Sequence, residues 1–171
     1  MKKAIYLLLM AVCAVMTSCE KEEIGGTATQ ALAGEWYVTA DAVDKYGNVL
    51  EEDFFGIGHF HVNTYNTAAN VPNEIWVDDL GNFWEFKIKA SADVNNCTFS
   101  TPDSVANVYY DCKVLIEGGK ILPDAATTPH GTAADSIVFY VSFNDDTYPE
   151  EFGFAKYRIS GYRYTGLASD D

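Results

Sequence analysis

The chain has 171 residues, with 25 acidic against 11 basic side chains and a formal net charge of −14. Such a surface repels phosphate backbones and anionic headgroups, which excludes nucleic-acid binding and direct adsorption to an anionic bilayer. The length fits one domain behind a leader, large enough to bury a proper core.

Residues 1–18 read as a signal peptide. Lys2 and Lys3 supply the positive start, Ile5 to Met16 the apolar run, and Thr17-Ser18 the small residues of a cleavage site. The run is too short for a spanning helix and ends abruptly in Glu20-Lys21-Glu22-Glu23. Cys19 follows the small residues as in a bacterial lipobox, with Met16 where Leu is commonest. That resemblance implies a lipidated Cys19 as the first mature residue, held in the leaflet by two or three acyl chains. The acidic run after Cys19 resembles the export signal of Bacteroidetes lipoproteins, which implies an outer-membrane, cell-surface location. Residues 19–31 are expected to be the lipidated cysteine and a flexible acidic tether. Residues 32–167 are expected to form the domain, and 168–171 an acidic tail.

The domain opens at Ala33-Gly34-Glu35-Trp36-Tyr37-Val38. Trp36, Val38 and Ala40 alternate with Tyr37, Thr39 and Asp41, a strand pattern. Asp44–Asp53 is polar and holds the turn Tyr46-Gly47-Asn48. Ile57 to Tyr65 alternates again, with His59, His61 and Asn63 on one face and Phe60, Val62 and Thr64 on the other. Glu74–Asp78 and Phe83–Ser91 are expected to pair across the turn Asp79-Leu80-Gly81-Asn82. In the second, Trp84, Phe86 and Ile88 share a face opposite Glu85, Lys87 and Lys89. Cys97 and Cys112 flank the turn signal Pro102-Asp103-Ser104. A hairpin centred there would set them opposite each other as a disulfide; the alternative is two small buried thiols. Gly118-Gly119 fits a primed turn with Lys120–Leu122 returning. Asp135–Phe143 is apolar on both faces, as in a strand covered on both sides. The last strand runs from Phe152 to Thr165, with Gly161 expected to mark a bend or bulge.

Eight or nine evenly spaced strands with no convincing helix predict an all-β fold, an antiparallel up-and-down β-barrel or a sandwich. Consecutive hairpins favour the barrel. Eight strands leave an interior that side chains fill or that holds one small ligand. Gly34-x-Trp36 resembles the opening of lipocalins and other calycins. There the Trp plugs the closed end under an Arg of the last strand, a role open here to Arg158 or Arg163.

Three stretches carry a fuller resemblance. They are Ala33 to Val38, Gly58-His59-Phe60 through Lys87, and Ser160-Gly161-Tyr162-Arg163-Tyr164-Thr165-Gly166. Together they resemble the Bacteroidetes family labelled "lipid-binding putative hydrolase", calycin-like β-barrel lipoproteins. The resemblance spans nearly all of 31–167. It implies an apolar ligand and a hydrolytic activity, and it carries no established catalytic motif or cofactor.

The residues themselves offer three chemistries. His59-x-His61 on one strand face is the spacing for a metal or catalytic pair, with His130, Glu85 or a loop Asp as third member. The bland reading is two polar residues on the wetter face. Acidic pairs such as Asp78-Asp79 and Asp145-Asp146 suit calcium or paired-carboxylate chemistry, or simply a solvated rim. Eleven Tyr, ten Phe and three Trp are many for this length. Trp76 and Trp84, with Tyr65 and Tyr110, are the ligand-binding candidates if their face turns into the barrel; otherwise they pack. No Gly-x-Ser-x-Gly elbow is present. The leading expectation is a lipid-anchored barrel that binds a small apolar ligand or lipid. The alternatives are a hydrolase centred on His59 and His61, or a surface module for glycan or protein.

Overall fold

The computed structural model describes residues 25–167. The expected signal peptide, Cys19, the acidic start of the expected tether and residues 168–171 lie outside the described residues. Ten strands follow in chain order: β1 (Gly34–Val43), β2 (Val49–Glu51), β3 (Phe60–Asn66), β4 (Glu74–Asp78), β5 (Lys87–Asp93), β6 (Thr98–Ser100), β7 (Val105–Ala106), β8 (Lys113–Thr127), β9 (Ala133–Phe143) and β10 (Lys156–Arg163). A 3₁₀ turn at Gln30–Leu32 precedes them, and one short helix, α1 (Tyr148–Phe152), lies between β9 and β10. Eight strands, β1, β3 to β6 and β8 to β10, form a closed antiparallel barrel, and β1 pairs with β10 to complete it. The fold is calycin-like and all-β. The short β2 and β7 add to β1 and β8.

Alternation puts the apolar residues inside. Trp36, Val38, Ala40 and Ala42 of β1 meet Ile137, Phe139 and Val141 of β9 and Tyr157 and Ile159 of β10 in one buried cluster. Trp36, Phe86, Ile116, Phe139 and Tyr157 have 0 % exposure. Side chains with no accessible surface border no space that a water molecule could enter, so the barrel axis at these levels is filled.

At one end the sequence closes the barrel on Trp36. Its Nε1 donates to Thr64 Oγ1 at 2.8 Å, and that hydroxyl donates to Leu32 O at 2.6 Å. Arg163 lies over the indole, with Cζ 4.5 Å from the ring centroid. Its Nη1 donates to Ala33 O and its Nε and Nη2 reach Asp135 Oδ2. Arg158 has a different partner. It is opposite Asp41 in register, and its Nη2 lies 2.7 Å from Asp41 Oδ2.

Several local expectations are corrected. Residues 113–127 form one long strand, because Gly118-Gly119 makes a bulge against β9 rather than a turn. Gly119 also lies against Phe99, where a Cβ would come within 2.5 Å of ring and carbonyl. Cys97 and Cys112 are free thiols. They are not opposed, because Cys97 O accepts from Ile121 N, nine residues along the chain from Cys112, which immediately precedes β8. That is on the order of 25 Å of strand, far beyond disulfide reach. Phe83–Phe86 is loop rather than strand. The outer face of β9 is half-exposed rather than covered, although Lys156 Nζ sits 4.9 Å from the Tyr140 ring.

Gly161 marks no bulge. It pairs regularly with Val38 across the β1–β10 seam. A Cβ there would lie 2.0 Å from Tyr37 O and 2.7 Å from Val38 Cα. Backbone cannot yield as a flexible side chain can, so the closing strands need glycine for close approach. Gly161→Ala is expected to cost about 3 kcal/mol or more in urea unfolding, among the severe single-site effects. An unchanged midpoint would mean that the seam relaxes freely.

Candidate functional site

β1 runs from the Trp36 end to the opposite end, the mouth. Four segments surround the mouth: 44–59, 79–86, 107–112 and 144–155. Between three of them lies a cleft of about 410 Å³ lined by Phe55, Ile57, Asn82, Phe83, Trp84 and Tyr148. All but Asn82 present apolar surface. Beneath, Trp84 stacks on Phe143 at 5.0 Å and Phe83 stacks on Phe60 at 5.4 Å. Phe55 meets Tyr148 edge-on at 5.2 Å and lies 5.7 Å from Tyr157. The rings form a continuous aromatic layer from cleft to core.

Three aspartates hold this layer in place. Asp79 is fully buried and accepts four backbone N–H groups: Gly81 and Phe86 on Oδ1, Phe83 and Trp84 on Oδ2. It therefore folds the 79–86 loop around its carboxylate and turns Phe83 and Trp84 to the mouth. Burial raises its pKa, an effect the four N–H groups partly offset. Asp53 does similar work on the other side, accepting from Ile57 and Gly58 N–H. Its own N–H donates to Asp41 Oδ1, so the Asp41–Arg158 pair anchors the loop that carries Phe55.

Asp145 is the third. Its Oδ1 accepts from Trp84 Nε1 at 3.3 Å and lies 3.1 Å from Cys112 Sγ. Its Oδ2 accepts from Tyr110 Oη at 2.8 Å. Burial alone would raise its pKa, but the bonds from Cys112, Tyr110 and Trp84 outweigh burial and lower it. Burial and this carboxylate push the Cys112 thiol up, away from the reactive thiolate.

The other sequence candidates lie elsewhere. Trp76 and Trp84 do not share a face. Ile75 and Val77 take the inward positions of β4, which turns Trp76 to the outer wall. There Lys87 and Lys89 lie over its ring at 5.4 and 5.6 Å. Tyr65 is also on the outer wall, opposite Trp76, and donates to Asp78. Tyr109 donates to the same carboxylate, beside an outer cleft lined by Leu80, Gly81, Glu85 and Tyr109. Burial opposes ionisation of Asp78, yet these phenols and Lys87 together lower its pKa. Of the four proposed aromatics, Trp84 lines the mouth cleft and Tyr110 braces its rim.

His59 and His61 are on the outside of the barrel. His59 stacks on Tyr37 at 4.8 Å, and His61 meets Tyr164 edge-on at 4.6 Å. Glu35 Oε1 lies 3.2 Å from His61 Nδ1, poorly aligned for a hydrogen bond. Among the described residues no group of three or more His, Cys, Asp or Glu side chains is placed to hold a metal ion. The metal alternative at His59-x-His61 does not form among the described residues, where the two rings pack against Tyr37 and Tyr164 on the outer face and Glu35 is the one carboxylate beside them.

Phe55, Phe83 and Tyr148 were not singled out from sequence. Their signal is faint: Phe54-Phe55 sits in a loop between Asp53 and Gly56, where two large apolar residues have no strand face to fill.

Residues 21–168 match the family model described as "Lipid-binding putative hydrolase", and the chain belongs to that family. No curated protein matches it.

Asp79→Ala is expected to destabilise the protein by about 3 kcal/mol, since four backbone N–H groups, that of Phe86 buried and the other three partly so, lose their acceptor at once. Chemical denaturation measures this, and a shift below 1 kcal/mol would show the loop folds without its carboxylate. Acid should act on Asp145. Its folded pKa lies below the unfolded value of about 3.9, so its contribution is complete above that pH and lost as pH falls through the lowered value. Trp84 emission is expected to stay constant down to about pH 4 and to shift red below it. Asp145→Asn should remove that acid step.

Proposed function

We propose that this protein holds a small apolar ligand or lipid in the aromatic cleft at the barrel mouth. We further propose that it does so as an outer-membrane, surface-exposed lipoprotein anchored through Cys19. The observation that carries the binding reading is the cleft itself. It offers about 410 Å³ of space walled by Phe55, Ile57, Phe83, Trp84 and Tyr148. That volume lies in the range of small-molecule sites. Ile57 and Tyr148 remain 46 % and 38 % exposed, an apolar surface that a ligand would cover. The filled axis beneath directs the ligand to the mouth and away from the barrel centre.

The location rests on the charged start, apolar run and cysteine of the leader. The chain enters β1 at the Trp36 end, opposite the mouth. An anchor attached there leaves the cleft unobstructed.

The chain from Glu20 retains every strand of the barrel and serves as the test protein. Native mass spectrometry is expected to show a one-to-one adduct with an offered long-chain lipid. Trp84→Ala is expected to weaken that adduct by about tenfold, in line with loss of one large aromatic contact. Trp76→Ala, on the outer wall, should leave it unchanged. Absence of any adduct, or equal loss in both variants, would refute the mouth as the site.

A further inference from the structure

The walls of the mouth cleft are apolar, but the chain that presents them is acidic. The four mouth segments, 44–59, 79–86, 107–112 and 144–155, carry eleven of the 25 carboxylates and one of the 11 Lys and Arg side chains, Lys45. Four of those carboxylates are bonded to the wall itself. Asp53 accepts from the N–H of Ile57, Asp79 from those of Phe83 and Trp84, Asp145 from the Trp84 indole, and Asp146 from the N–H of Tyr148. Glu150 and Glu151 follow, both exposed, on the short helix that begins at Tyr148. The cations of the barrel wall are engaged elsewhere: Lys87 with Asp78, Lys89 with Glu74, Lys156 with Glu117, Arg158 with Asp41 and Arg163 with Asp135. Near the rim, Lys45 lies over the Tyr46 ring at 4.9 Å, and Lys113 opens β8, where its N–H donates to Asn144. No cation is among the groups that chiefly set the pKa of Asp79, Asp145 or Asp146.

We infer that the mouth cleft selects a single-chain cationic amphiphile, with its alkyl tail on the rings and its ammonium head at the rim beside Asp145, Glu150 and Glu151. This deepens the binding reading above and rests on it. Charge complementarity selects the head. Carboxylates of one sign around a low-dielectric cleft focus their field on whatever enters it. An ammonium head is drawn to that field, and Trp84 and Tyr148, the best cation-binding ring types, line the same cleft. An alcohol head gains neither attraction, and a carboxylate head is repelled. The tail needs only the cleft of about 410 Å³ and the head only the wet rim, so nothing enters the filled axis. The occupant is therefore an alkylamine or its N-methylated form, in preference to an alcohol and, most strongly, to a fatty-acid anion.

Decyltrimethylammonium, decanol and decanoate share an unbranched alkyl chain and differ in the head, so they are the probes. Calorimetric titration of the chain from Glu20 at neutral pH, below micelle-forming concentrations, is expected to rank them ammonium, alcohol, anion. About tenfold or more should separate the first two in low salt. Salt at about 0.5 M shortens the Debye length to roughly 4 Å and should narrow that ratio. Glu150→Gln combined with Glu151→Gln should cut the ammonium-to-alcohol ratio about threefold and leave decanol binding unchanged. Glu35→Gln combined with Asp124→Asn removes as much charge at the Trp36 end, where Glu35 precedes the indole and Asp124 N–H bonds Asp135. That pair should leave the ratio unchanged. Equal affinity for ammonium and alcohol would overturn the inference. So would equal loss in the two double variants, which would assign the preference to overall charge and not to the rim. If neither decanol nor the ammonium binds, the mouth reading itself falls, and this inference with it. If decanol binds, is lost in Trp84→Ala and is matched by the ammonium, the mouth reading stands and only the head-group inference is lost.

Discussion

The pairing of β1 with β10 is the constraint on which the other features depend. It joins the first and last barrel strands in an unbroken register from Trp36↔Arg163 to Val43↔Lys156. An open sheet of this length would expose two edges of unpaired N–H and C=O groups, and closure removes both. The seam also defines the two ends of the molecule. At one, the register sets Arg163 across from Trp36, where the guanidinium covers the indole and ties Ala33 to Asp135. At the other, β1 and β10 run out into the segments that carry Phe55 and Tyr148.

The filling of the barrel then decides where a ligand has room. Small residues, Ala40, Ala42 and Ala90, alternate with Trp36, Phe86, Phe139 and Tyr157 in one buried cluster. Interdigitation of large and small groups at native packing density leaves the axis occupied. Apolar space survives where the strands end and loops take over. Loops have no ladder to satisfy their backbone, so aspartates supply the acceptors: Asp53 for one wall, Asp79 for another, Asp145 for the rim. Burying the Asp79 carboxylate is costly, and its four N–H bonds offset that cost while fixing the rings it carries.

Most of the strand structure was legible from sequence, and the reason is the period of two. Alternation in Trp36–Ala42 and Phe60–Thr64 is a local property, and the inward faces followed from it; Ile137–Phe143 is apolar on both faces of the pleat, so its inward face did not. The failures came where a local pattern had two structural meanings. Gly118-Gly119 serves a hairpin turn or a bulge equally well, and the pairing of β8 with β6 and β9 selects the bulge. Alternation placed Trp84 with Phe86 and Ile88, yet the Asp79 bonds hold residues 83–86 out of the strand. The cysteine pairing assumed a local hairpin, whereas β6 pairs with the far part of β8. His59-x-His61 has metal spacing, but only the neighbouring strands decide what those rings meet, and they supply Tyr37 and Tyr164.

The amino-acid sequence by itself determined an all-β chain and the inward face of its main strands, which rest on periodicity; the plugging role of Trp36 came from the resemblance of Gly34-x-Trp36 to calycins. Tertiary structure alone decided that the axis is filled, that Arg163 rather than Arg158 covers Trp36, and that Phe55, Phe83, Trp84 and Tyr148 meet in one cleft. Those rings come from three loops that closure of the barrel brings to one rim. Loop residues carry no periodic signature, so their meeting is fixed by strand pairing and by the aspartates that fold each loop.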